Sequence, residues 1–113
     1  GAAGDVRVFR LYGALFFGAA GKVESLADEV PAGVRWVILE ANHLLSIDSS
    51  GQNALETLGK ELARRDIGWI ICGLHRQPQQ QLDPVATAHW PAPPLLLPDL
   101  PAALDRTQAV EAA

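Results

Sequence analysis

Residues 36–51 have the sequence WVILEANHLLSIDSSG, and this stretch decides how the chain folds. Residues 34–39 form a short apolar run with the length and composition of a buried strand. A polar stretch at residues 40–43 gives way to further apolar residues, and residues 48–51 then read Asp-Ser-Ser-Gly. These small polar residue types are typical of a helix start. The stretch therefore predicts a buried strand, a connection and the beginning of a helix.

The helix that follows carries one apolar stripe. Its members stand three or four residues apart, as one buried helix face requires: Leu55, Leu58 and Leu62. A turn begins at Arg65, and residues 67–72 predict a second buried strand that ends at Gly73. Strand, helix and strand follow one another here, as they do in a unit with two parallel strands.

The rest of the chain predicts further elements of both kinds. They are strands at 6–11 and 15–17 with a turn or bulge at Gly13, helices at 23–30 and 77–86, a short edge strand at 95–97, and a last helix with Asp99 as its N-cap. Strands that alternate with helices imply a mostly parallel sheet with right-handed crossovers. We therefore expect a single α/β domain, in which a mixed, mostly parallel sheet of about four to five strands packs against about four helices.

The bulk composition excludes several classes of protein. The 113 residues make one domain, which we divide into residues 1–4, a tag remnant or linker, and residues 5–113, the domain itself. The net charge is -4 and the largest basic cluster is the pair Arg64–Arg65, so we expect no nucleic-acid binding. The longest apolar stretch, residues 11–20, falls well short of the roughly 20 residues that span a bilayer. We expect this fragment not to cross the membrane, and we interpret the absence of methionine as a sign of a longer parent protein.

Residues able to do chemistry are scattered along the sequence. Cys72 is the single cysteine and stands inside an apolar strand, which predicts a buried, inert thiol. Three histidines lack the spacing of metal ligands: His43, His75 and His89. Neither a base nor an oxyanion donor accompanies the carboxylates Glu40 and Asp48. We expect no catalytic residue, no metal and no cofactor, and hence no enzyme.

The ordered set of motifs resembles the STAS domain. The strand and DSSG helix start within residues 36–51 are similar to the core signature of that family. Residues 64–74 (RRDIGWIICGL) and 97–100 (LPDL) match its later turn, strand and final helix. Residues 11–20 (LYGALFFGAA) are similar to the opening of STAS domains of SulP-family anion transporters. Glu40 is a departure, because the family more often has aspartate at that place.

This resemblance implies a role in regulation. It implies a STAS domain on the cytoplasmic side of the inner (plasma) membrane, bound to the transmembrane domain of a parent transporter of sulfate-like anions. Such a domain supports folding, assembly and regulation of the membrane part without chemistry of its own. The alternative is a stand-alone phospho-switch protein like the anti-sigma-factor antagonists. A third hypothesis is a sensor for a small ligand such as a nucleotide, a lipid or an acyl carrier.

The candidate site consists of Asp48, Ser49, Ser50 and Gly51. The simplest interpretation is capping, with Ser49 as N-cap and Gln52 completing a capping box. By resemblance to the anti-sigma-factor antagonists, Ser49 is the position of a phosphoacceptor. The same helix start is also a candidate site for an anion such as a nucleotide phosphate.

Trp90 stands in the proline-rich segment at residues 89–94. An exposed tryptophan there is a candidate anchor for a partner protein or for the membrane domain of the parent. The alternative is that the loop packs its tryptophan onto its own domain.

Overall fold

Strands and helices alternate along almost the whole chain, as the sequence predicts. The computed structural model describes residues 5–15 and 20–112. Its strands are β1 (Val6–Leu15), β2 (Trp36–Ile47), β3 (Gly68–Cys72) and β4 (Leu95–Leu97). Its helices are α1 (Ala20–Glu24), a 3-10 helix (Ser25–Glu29), α2 (Ser49–Arg64), α3 (Arg76–Leu82) and α4 (Leu100–Ala112).

The strands form one sheet in the order β1-β2-β3-β4, and all three pairings are parallel. The expected α/β domain is confirmed, and within the described residues the sheet is wholly rather than mostly parallel. Because strand order follows chain order and crossovers are right-handed, the connecting helices lie on one face of the sheet. Helix α4 packs on the opposite face.

Two hydrophobic cores result from this arrangement. The larger one lies between the sheet and the connecting helices, and the predicted stripe of Leu55, Leu58 and Leu62 is buried in it. The smaller one, under α4, contains Ile38 and Ile70. Full burial of such a side chain contributes about 1.5–3 kcal/mol, so both cores stabilise the fold.

The prediction of one regular α-helix at residues 23–30 is wrong. An α-helix and a 3-10 helix divide that segment. The Ser25 hydroxyl donates to the Lys22 carbonyl at 2.9 Å, a local bond that competes with regular α-helix geometry. The Arg65 guanidinium donates to the Ala27 and Val30 carbonyls at 2.8 and 2.7 Å, so a side chain from the end of α2 holds the end of this segment.

Strands β1 and β2 are longer than the sequence indicates. One strand, β1, covers both predicted strands up to Leu15, while residues 16 and 17 lie outside the described residues. The expected irregularity at Gly13 is confirmed by its φ of 70° and a register shift to the next residue. The predicted end of β2 near residue 40 is wrong, because the strand continues through the polar stretch to Ile47.

The proline-rich loop is fastened to α2 and β3. The Trp69 indole Nε1 donates to the Ala92 carbonyl at 3.0 Å. Gly59 of α2 lies directly beneath, where a Cβ would stand 2.6 Å from the Ala92 carbonyl oxygen and 2.7 Å from the Trp69 ring. Only glycine fits at this contact without a shift of its neighbours.

Among the described residues, no helix has the length and apolar character needed to cross a bilayer.

Candidate functional site

The candidate site lies where β2 ends and α2 begins. Strand β3 pairs with β2 only as far as Glu40. Residues 41–47 of β2 therefore extend beyond β3, together with the end of β1, and we call this extension the overhang. The carboxyl ends of parallel strands are the usual place for ligand sites in α/β folds.

Asp48 is the N-cap of α2, which corrects the prediction that Ser49 has this role. Asp48 has extended backbone angles, φ -100° and ψ -176°, and its Oδ1 accepts from the Gly51 N–H at 2.8 Å. A carboxylate at this place also interacts favourably with the helix dipole. The capping box is absent, because Gln52 Nε2 donates to the Gln81 carbonyl at 2.7 Å instead.

The two serines of the motif differ in exposure. Ser49 is exposed as the first residue of α2, Ser50 is half-buried and Gly51 is buried. A phosphoryl group on Ser49 would lie near main-chain N–H groups at the helix start and near the Asp48 carboxylate. The first contact is favourable and the second is repulsive, so the site suits a modification that changes a docking surface.

Helix α3 holds the overhang in place through a side chain that the sequence did not single out. The Gln77 carboxamide accepts from the Ile47 N–H at 2.9 Å and donates to the Ile47 carbonyl at 3.1 Å. It thus makes the pair of bonds that a neighbouring strand would supply. The sequence signal is the set of four glutamines at residues 77 and 79–81, which does not indicate a target.

A second contact closes the turn between β3 and α3 against the overhang. His75 Nε2 lies 2.6 Å from the Asn42 carbonyl oxygen. Gly73 has a φ of 76°, and a Cβ there would overlap the Asn42 carboxamide. Together with Gln77, these residues fix the position of the end of β2, which leads directly into Asp48.

The outer side of the overhang is exposed. The rings of Tyr12 and His43 stack with centroids 5.3 Å apart. Tyr12 is 64% and Leu45 is 68% exposed. Leu45 lies at a register shift, since Gly13 and Ala14 pair with Leu44 and Ser46. The extra residue therefore points to solvent and adds an apolar side chain to the surface beside the candidate site.

The structure places Trp90 in the larger core, at 6% exposure. This corrects the assignment of Trp90 as a partner contact. The alternative, that the loop packs on its own domain, is what the structure shows. The physical reason is the attachment of the loop to Trp69 and Gly59, which draws the indole inward.

Cys72 is fully buried, as predicted. Burial, assisted by the negative charges of Glu40 and Asp99, raises the pKa of its thiol. The neutral thiol is a poor nucleophile. Glu40 lies on the same face of the sheet and forms an ion pair with Arg10 at 3.6 Å, whereas Asp48 caps α2. The two carboxylates considered for catalysis thus have separate structural partners.

No cluster of three or more potential metal ligands occurs in the part of the chain that the structure describes. The three histidines have separate neighbours. His75 contacts Asn42, His43 stacks on Tyr12, and His89 lies 4.0 Å from Glu56.

The sequence profile of the STAS domain matches residues 2–91, and the chain belongs to this family. A search of curated protein sequences finds no match.

Solved structures with the same fold include transporter and non-transporter proteins. A sulfate transporter family protein from Wolinella succinogenes has a TM-score of 0.81 and 18% identity, with 99% of this chain and 91% of that chain covered. A SulP transporter STAS domain from Vibrio cholerae has a TM-score of 0.71 and 20% identity, with coverage of 96% and 86%. The unphosphorylated anti-sigma factor antagonist SpoIIAA has a TM-score of 0.70 and 18% identity, with coverage of 95% and 93%. At these identities the likeness shows the fold alone.

Proposed function

We propose that this STAS domain is a cytoplasmic regulatory module of a SulP-type anion transporter and that it binds the transmembrane domain of its parent. The observation that carries the proposal is the match to the Wolinella sulfate transporter family protein, which extends over nearly all of both chains. The similarity of residues 11–20 to transporter STAS domains supports the same branch of the family.

The described side chains favour binding over chemistry. Asp48 caps α2, Glu40 pairs with Arg10, and the Cys72 thiol is buried. These three groups, which were considered for chemistry, are thus engaged in holding the fold. The exposed Tyr12 and Leu45 on the overhang are, in contrast, available for a partner.

The first test is the reading frame of the parent gene. Upstream of residue 5 it should encode several apolar segments of about 20 residues, each long enough to cross a bilayer. A frame that starts immediately before residue 5 and encodes none of them would contradict the proposal.

The second test is transport by the full-length protein. Replacing Tyr12 and Leu45 by serine should lower uptake of a sulfate-like anion while the thermal stability of the isolated domain stays unchanged. Val85→Ser is the matched control, because Val85 is 86% exposed and lies outside the overhang, on the segment after α3. Equal uptake by the double variant and the control would argue against a role for the overhang.

A second candidate function is a phospho-switch like that of the anti-sigma-factor antagonists. The exposed position of Ser49 directly after the cap favours it, as does the fold likeness to SpoIIAA. A phosphate would add up to about two negative charges beside Asp48 and repel a bound partner.

This second candidate is tested with Ser49→Asp and, as a control in the neighbouring half-buried position, Ser50→Ala. Binding to a serine kinase encoded next to the gene should be lost with Ser49→Asp and kept with the control. Phosphate incorporation by that kinase should disappear in Ser49→Ala. A kinase that phosphorylates neither the wild type nor the control excludes the switch.

A further inference from the structure

An open groove of about 200 Å³ lies between β1 and α1, away from the start of α2. Its floor is apolar and is formed by four side chains: Leu11, Val23, Leu26 and Leu44. Three of these are buried and belong to the larger core, and Leu26 packs against them. Most of the floor is therefore part of the packed core.

The rim of the groove carries positive charge. Arg10 and Lys22 line it, and Tyr12 stands beside them. Both cations are exposed, and the Arg10 side chain remains 59% accessible even though it pairs with Glu40. Among the lining residues that the structure describes, none is acidic. This is a local excess, because the whole chain has a net charge of -4.

The groove also borders the edge of the sheet. Within the described sheet, β1 pairs only with β2, so its main-chain groups on the other side have no strand partner. The strand is irregular here, with register shifts after Arg10 and after Gly13. Such irregularities redirect side chains and main-chain groups and are common beside binding sites.

We propose that this groove binds an anionic amphiphile, a carboxylate or phosphate head attached to an acyl chain. The head lies between Arg10 and Lys22, and the first carbons of the chain cover the leucine and valine floor. The volume equals roughly seven water molecules in the liquid, which suits a head and a short acyl segment. The site does not include the start of α2; it shares Tyr12 with the overhang, but its ligand does not depend on the function proposed above.

Both halves of the ligand are needed for this match. An inorganic anion would leave the apolar floor in contact with water, and a neutral lipid would make no ion pair with Lys22 and none with Arg10 beyond its pair with Glu40. Exposed ion pairs contribute at most about 1 kcal/mol, so the charge alone gives little affinity. The acyl segment supplies the rest by covering apolar surface.

The test is a titration of the isotope-labelled 113-residue chain, followed by amide NMR, with three probes below their aggregation limits. Sodium decanoate should shift the amides of residues 10–14 and 22–26, with weaker effects from decanol and from inorganic phosphate. Equal binding of decanol and decanoate, or shifts confined to other residues, would overturn the proposal.

Two variants separate the charge from the apolar floor. Lys22→Gln should weaken decanoate binding about threefold, while Lys60→Gln, a change of the only other lysine, should leave it unaltered. Ala14→Phe should fill the groove and abolish binding with the charges intact. The amide spectra of the free variants establish that each is folded, and unchanged binding by folded Ala14→Phe would reject the site.

Vesicles identify the source of the amphiphile. If the chain sediments together with phosphatidylglycerol vesicles and not with phosphatidylcholine vesicles, and if this co-sedimentation requires Lys22, the ligand is assigned to the membrane surface. Decanoate binding without co-sedimentation assigns it to a free fatty acid. If the chain binds neither decanoate nor phosphatidylglycerol vesicles, the proposal is overturned.

Discussion

The paired part of the sheet and the overhang are built in different ways. In the paired part, residues 36–40 of β2 have a strand on each side and a core on each face. In the overhang, residues 41–47 have a strand on one side only, and the Gln77 carboxamide and His75 take the place of the other. The first is buried on both faces, whereas the second buries one face, through Ala41, Leu44 and Ile47, and completes its free edge with side-chain hydrogen bonds.

This difference assigns stability and recognition to separate regions. In the paired part, residues 37–40 of β2 are buried. The overhang presents Tyr12 and Leu45 to solvent and positions the start of α2. Because only one of its faces is buried, we expect it to open at a lower free-energy cost than the paired part.

The largest expected effect is loss of a core side chain in the paired part. Ile70→Ala should lower the free energy of unfolding by about 2–5 kcal/mol, because it leaves a cavity under α4. Leu45→Ala, in the overhang, should change it by less than about 0.5 kcal/mol, since the side chain is exposed. Urea denaturation measures both, and similar losses would remove the distinction between the two regions.

The next effect concerns Gly59. Alanine is better than glycine in a helix by about 1 kcal/mol, yet Gly59→Ala should destabilise the domain by about 1–3 kcal/mol through overlap with Trp69 and Ala92. Gly21→Ala, where the space around the Cβ is open, is the control and should be neutral or slightly stabilising. A rise in melting temperature for Gly59→Ala would show that the loop is not held against α2.

Gln77→Ala should weaken the overhang by about 1 kcal/mol, because it leaves the Ile47 N–H and carbonyl without their partner. Hydrogen exchange should accelerate at the Ile47 amide and stay unchanged at Ile70. Gln80→Ala, an exposed position on the same helix, is the control. Faster exchange throughout the sheet would contradict the view that the overhang opens separately.

The smallest effect is expected at the cap. Asp48→Ala should cost about 1 kcal/mol, and Asp48→Asn less, because asparagine also caps. Ser49→Ala should leave the melting temperature nearly unchanged, since Ser49 already lies inside the helix. If Ser49→Ala lowers the free energy of unfolding more than Asp48→Ala does, then serine rather than aspartate is the N-cap.

The sequence predicted the paired part well, because burial on both faces leaves an unbroken apolar run. The prediction for β3 differs from the structure by one residue, and β4 and the Asp99 cap of α4 are confirmed. The leucine stripe of α2 is confirmed for the same reason, since a helix that covers a core must repeat its apolar residues every three or four positions.

The length of β2 could not be predicted from an alternation of apolar and polar residues. Ten residues of β1, Val6–Leu15, pair across to Trp36–Ile47, which contains twelve residues. Each of the two extra residues in β2 reverses which side chains face the core, so the regular pattern of a strand disappears. The polar stretch at 40–43 therefore looked like a loop.

The motif correctly predicted a helix start at residues 48–51, but not the contacts made there. Asp48, Ser49, Ser50 and Gly51 do lie at the start of α2. Whether aspartate or serine caps depends on a backbone shift of one residue, which composition does not determine. The bond from Gln77 to Ile47 joins residues 30 positions apart, and glutamine carries no signal of its target.

The strand order has a consequence for synthesis of the protein. Each strand pairs with the one made just before it, so the sheet can grow as the chain leaves the ribosome. Among the described elements of this domain, α4 is made after all four strands, and it packs over Ile38 and Ile70 on the second face. A nascent chain that pauses before Leu100 therefore exposes a flat apolar sheet face, which makes this final helix the step that protects the domain from aggregation.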